Sequence, residues 1–130
     1  EVESRDPYKY RVSEYKKVHT QSFDPIMLCH HNYIPIQCVM FERKLFELYG
    51  GLDETLDALE DWDMWVRYSL HTEFKFIHKT TSIYRVPSDK LVNARRQKSL
   101  DEALKVVREK HKMYKIGVSV FDIANLYDKK

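Results

Sequence analysis

The sequence predicts an α/β fold built from short strands and several helices, and three stretches predict it. The run "IPIQCVMFE", Ile34 to Glu42, is apolar nearly throughout, with β-branched residues and a proline near its start, which is the pattern of a buried strand entered from a loop. The run "EDWDMWVRYSL" sets Trp62, Trp65, Val66 and Leu70 on one side of a helix. The run "EFKFIHKTTSIYRV" alternates Phe74, Phe76 and then Ile83 with polar neighbours, which predicts two short strands, over 74–78 and 81–86.

Taken in order, the first twenty or so residues are polar and rich in tyrosine, and Tyr8, Tyr15 and Val18 form only a thin apolar stripe, so a loop and a short helix are expected. After the first strand, "ERKLFELYGG" places Leu45, Phe46 and Tyr49 together on a short helix. That helix stops at Gly50 and Gly51, since glycine takes left-handed backbone geometry without a Cβ clash. Pro87 ends the second strand pair. From Ser88 to about Lys112 the composition is helical, with Leu100, Ala103, Leu104 and Val107 as the apolar stripe, and Ser99 with Glu102 forms a capping box that offers a later start. The tail "VSVFDIANLYDKK" reads as one more short helix or a strand and helix turn. No repeat, low-complexity segment or linker is visible.

A length of 130 residues suits one domain with a real core. With 43% hydrophobic and 32% charged residues the chain belongs with globular rather than disordered proteins, and a net charge of +2 points to neither nucleic acid nor an anionic membrane. Nine tyrosines suit a surface for carbohydrate or planar ligands. Cys29 and Cys38 lie in or beside apolar runs, as expected of buried, reduced thiols in the cytoplasm. Together with His30 and His31 they match no familiar zinc spacing. No apolar run approaches the ~20 residues of a membrane helix. The N-terminal "EVESRDPYKY" is no signal peptide, and a chain that begins and ends in charge without a start methionine reads as a segment of something longer.

Between Asp53 and Asp63 lie six carboxylates and no cation, immediately before the buried face of the tryptophan helix. Capping accounts for part of this: Asp57 and Glu60 are spaced like an N-cap and its reciprocal partner, and Glu60, Asp61 and Asp63 fall in a first turn where the helix dipole favours anions. It does not account for the composite of a Gly-Gly stop, a Leu-Asp-Glu turn and a helix opening on adjacent carboxylates beside a tryptophan. Such a helix start can hold one carboxylate in a fixed direction toward a ligand.

The stretch "VMFERKLFELYGGLDETLDALEDWDMWVRYSL" followed by "FKFIHKTTSIYRV" resembles the acceptor-side half of the family 2 inverting glycosyltransferases of the GT-A fold. Their pattern runs strand, arginine-bearing helix, G-G-[FL]-D-E turn, E-D-x-D helix and strands ending in tyrosine-arginine. The likeness is strongest over 32–86. It implies that residues 1–130 are one partial domain, the C-terminal half of a Rossmann-like GT-A catalytic domain. It further implies transfer of a sugar from a nucleotide-sugar donor to a hydroxyl of a glycan or lipid-linked acceptor, with inversion, as in polysaccharide biosynthesis. By the same resemblance Asp61 is the catalytic base, and Glu60, Asp63, Trp62 and Asp53 face the acceptor. Trp62 and Trp65 are candidates for a sugar-stacking wall, against the core role that tryptophan at helical spacing more often has.

The resemblance also implies a divalent metal, Mg or Mn, in the intact enzyme. Its ligands are expected outside this segment: Val86 and Pro87 stand where many relatives carry a histidine, and Asp61-Trp62-Asp63, formally a D-x-D, follows "LDALE" instead of an apolar strand. The isolated segment is therefore expected to be inactive, lacking the donor-binding half. A cytoplasmic location is implied, with the inner membrane face, peripheral membrane association and a homodimer all compatible with it, and no nucleic acid is expected. An alternative reading is a non-catalytic interaction module whose basic helix, 90–115, contacts phosphates, nucleic acid or a partner protein. Its cations Arg95, Arg96, Lys98, Lys105, Arg108, Lys110 and Lys112 are interrupted by Asp101, Glu102 and Glu109, as on a solvated face. A hydrolase built on Glu60, Asp61 and Asp63 would lack a histidine or lysine at suitable spacing.

Overall fold

A helix that presents a wide apolar face has to bury that face inside a protein. The helix of Trp62, Met64, Trp65, Val66 and Tyr68 does so, all five being buried. A computed structural model describes residues 21–83, 89–117, 119 and 121. Among them lie four α-helices, α1 (Pro25–His30), α2 (Arg43–Tyr49), α3 (Glu60–Ser69) and α4 (Lys90–His111), and one 3-10 turn at Ile36–Cys38. The central helix is α3. Leu28 of α1, Tyr33 and Val107 of α4 complete its buried cluster, with Phe23, Leu45 and Phe74 among the half-buried side chains around it.

Local chemistry sets the helix ends. Asp24 caps α1 by accepting from the amides of Ile26 at 2.9 Å and Met27 at 3.0 Å, with Pro25 at the first helical position where a missing N–H costs nothing. α2 ends at Gly50, whose φ of 77° is open to glycine and strained for other residues. α4 begins at an Asp89 cap bonded to Leu91 N at 2.7 Å and Val92 N at 3.1 Å, so it starts near Ser88 and runs through the Ser99 capping-box position. Ala103 and Val107 are buried as the stripe predicts, and Leu100 and Leu104 are half-buried.

The α/β, Rossmann-like class is not what forms: the described residues are helical and contain no strand. At Ile34 to Glu42 the 3-10 turn interrupts the run, Ile36, Gln37 and Cys38 are exposed, and Met40 is 95% exposed. An apolar run of that length fits several backbones, and here Pro35 leads into a turn. Over 72–76 half-buried and exposed residues do alternate, as in an extended chain, yet a strand exists only as a paired ladder and no partner lies beside it among the described residues. The end of the second expected strand, the N-terminal helix and nearly all of the tail lie outside the described residues. Cys38 is exposed rather than buried, and Cys29 is half-buried, which pushes its thiol up.

Candidate functional site

The expected Asp57 cap does not form. The residue at the mouth of α3 is Leu59, in left-handed geometry at φ 63° and with no side-chain cap, while Asp57 is exposed. Left-handed backbone costs a leucine about 1–2 kcal/mol, so the entry to Glu60 and Asp61 is held against local strain. Beyond it the acidic residues separate, because residues two apart on a helix project about 200° from each other.

Asp63 is fully buried and surrounded by cations. Its Oδ2 accepts from Arg67 Nε at 3.0 Å and Lys110 Nζ at 2.8 Å, and its Oδ1 faces His111 Nε2 at 3.3 Å without an aligned hydrogen bond. Burial alone would raise its pKa, but His111, Lys110 and Arg67 together outweigh that and bring it down to about 2. The same cations tie Asp63 to the rest of the molecule. Arg67 donates to the carbonyls of Tyr49, of Gly50 at 3.3 Å and of Gly51 at 2.5 Å, and Tyr68 OH donates to Gly50 O at 2.9 Å. A cation on the orphan carbonyls at the end of a helix is favoured by both hydrogen bonding and the dipole. Lys110 reaches past Asp63 to Asp53 Oδ2 at 2.6 Å. Asp53 in turn accepts from Thr55 N at 3.0 Å and Thr55 Oγ1 at 2.6 Å, fixing the turn, and the Lys110 contact holds its carboxyl well below the usual range. Asp63, Arg67, Lys110 and Asp53 therefore form a clamp joining α2, the turn after it, α3 and α4.

Asp61 is the contrasting case. It is half-buried, and no cation pairs with it among the described residues. Its Oδ1 accepts from Asn32 Nδ2 at 3.1 Å and from the Trp62 amide at 2.7 Å. Desolvation raises its pKa and the neighbouring Glu60 adds to that, against the opposing pull of the Trp62, Asn32 and Ile36 donors. Glu60, half-buried at the first position of α3, stands beside it.

Trp62 and Trp65 are both fully buried. Trp62 Nε1 donates to Leu28 O at 2.6 Å and Trp65 Nε1 to Ile34 O at 3.1 Å, so the indoles fasten the 28–34 segment onto α3. Of the acceptor-side residues the sequence singles out, Glu60 stays with Asp61. Asp63 and Asp53 belong to the clamp, and Trp62 to the core. Arg67 was not singled out from the sequence, although its i+4 spacing from Asp63 is the signal that marks it. Asn32, Lys110 and His111 carried no such signal, being remote in the chain, and Lys110 turns inward from what reads as a solvated face. The cations at the other end of α4, Lys90, Arg95, Arg96 and Lys98, are exposed.

No group of three histidine, cysteine, aspartate or glutamate side chains is placed to share a metal ion among the described residues. With Asp63 already neutralised by Arg67 and Lys110, the Asp61-Trp62-Asp63 triplet does not fit a metal. No helix among the described residues is long and apolar enough to cross a membrane. No family model, curated protein or solved structure matches the chain.

Proposed function

We propose that the chain supplies the acceptor side of an inverting glycosyltransferase of the family 2 type, acting in the cytoplasm, with Asp61 as general base. The acceptor hydroxyl gives its proton to Asp61 while its oxygen attacks the anomeric carbon, and the bond from that carbon to the nucleoside diphosphate breaks on the opposite side with inversion. The observation that carries this reading is that no cation pairs with Asp61 among the described residues. Of the three carboxylates opening α3, Asp63 is neutralised by cations, whereas Asp61 is oriented by neutral donors and has its proton affinity raised by burial. A carboxylate with raised proton affinity is the better base near neutral pH. Glu60 beside it is a candidate to bind the acceptor. The sequence resemblance over 32–86 supports the same assignment.

The reading places nucleotide-sugar and metal binding on residues outside these 130. Calorimetric titration of this chain with nucleoside diphosphates and Mg or Mn should therefore be flat, and micromolar metal-dependent binding would overturn that division. In the enzyme that carries the segment, Asp61→Asn should lower turnover by about 10²–10⁴-fold with donor affinity unchanged. Turnover equal to the parent's would pass the role of base to Glu60.

A further inference from the structure

A base must be aimed as well as basic, and the residue that aims Asp61 lies 29 positions upstream. We infer that Asn32 is a positioning residue for Asp61, its amide orienting the carboxylate at the mouth of α3 through a segment that the two tryptophans fasten in place. This inference rests on the assignment of Asp61 as base.

Asn32 Oδ1 accepts from the Ile34 amide at 3.2 Å, closing a turn within its own loop. That bond fixes which end of the amide is which: the carbonyl faces Ile34, so the NH₂ group faces Asp61 Oδ1, to which it donates at 3.1 Å. The loop itself is pinned at both ends. Trp62 holds Leu28 on one side of Asn32 and Trp65 holds Ile34 on the other, and both indoles come from the helix that carries Asp61. Base and orienting residue are thus referenced to one rigid element, as a site requires if its geometry is to survive thermal motion. A side-chain donor and a main-chain donor converge on Oδ1.

Carboxyl titration followed by NMR on this chain tests the inference without any substrate. A neutral donor to Oδ1 stabilises the ionised form, so its removal raises the Asp61 midpoint. Asn32→Ala removes both bonds. Asn32→Ser keeps a hydroxyl able to close the turn on Ile34 but too short to reach Asp61, so it preserves the loop if the alanine variant disturbs it. The expected result is an upward shift of the Asp61 midpoint in both variants, with the Asp63 midpoint and the melting temperature of the serine variant unchanged. An Asp61 midpoint equal to the parent's in the serine variant would overturn the positioning role. It would leave the assignment of the base to be judged separately by turnover of Asp61→Asn.

Discussion

Asp61 and Asp63 stand two residues apart on the same turn of the same helix, and their surroundings make opposite demands on charge. Asp63 is sealed from solvent among Arg67, Lys110 and His111 and is held ionised far into the acid range. Asp61 is partly desolvated, receives only neutral hydrogen bonds among the described residues and is biased toward its protonated form. One sequence motif thus carries a structural carboxylate on one side and a chemically available one on the other. A concentration of acidic residues need not mean one shared purpose.

The sharpest way to break this comparison is Asp63→Ala. Removing one partner of a buried ion network leaves the others uncompensated, at a cost of about 3–5 kcal/mol. Urea unfolding should show that loss, and a change below about 1 kcal/mol would mean that the clamp is ornamental.

Acid titration of the parent comes next. Asp63 has its folded pKa lowered from 3.8 to about 2, so its stabilisation is present above its unfolded pKa and is lost as pH falls through the folded one. That window, from about pH 4 down to about pH 2, should cost about 2 kcal/mol, read as a falling melting temperature. A flat profile across it would remove the distinction between the two carboxylates.

The smallest expected effect has the opposite sign. Because burial raises the folded pKa of Asp61, the parent carries a penalty that sets in as pH rises through that value. Asp61→Asn escapes it while its Oδ1 can still accept from Asn32 and Trp62. The variant should therefore melt slightly higher than the parent at pH 7, with the gain vanishing in acid. Lower stability at pH 7 would make Asp61 a second structural carboxylate.

What could be read from the sequence was local. The helix from Arg43 stops at Gly50 because the stop is written in the glycine, and α3 follows from the spacing of its tryptophans. The expected strands do not form among the described residues for a physical reason: apolar runs and alternation describe a chain's preference for extension, whereas a sheet needs a second strand in register. Phe74 and Phe76 keep their half-buried places without one. The site was partly legible. Asp61 and Glu60 stood out by position, but the division of roles within the cluster did not, since Lys110 meets Asp63 across 47 residues and Asn32 meets Asp61 across 29. No spacing rule reaches that far.

Both tryptophans of the chain, Trp62 and Trp65, are buried in one helix, and both indole N–H groups bond to carbonyls of the 28–34 segment. The ultraviolet emission of the protein is consequently a local reporter. It should lie toward the blue while α1 and its loop remain seated on α3, and move red when that joint opens and water reaches the rings. The N-terminal half of α4 lies beyond its view. An unfolding curve followed by emission would then describe the seat of Asn32 and Asp61, and circular dichroism, weighted by the 22 residues of α4, would describe a different part of the molecule. Any gap between the two curves would measure how independently the site and the long helix come apart.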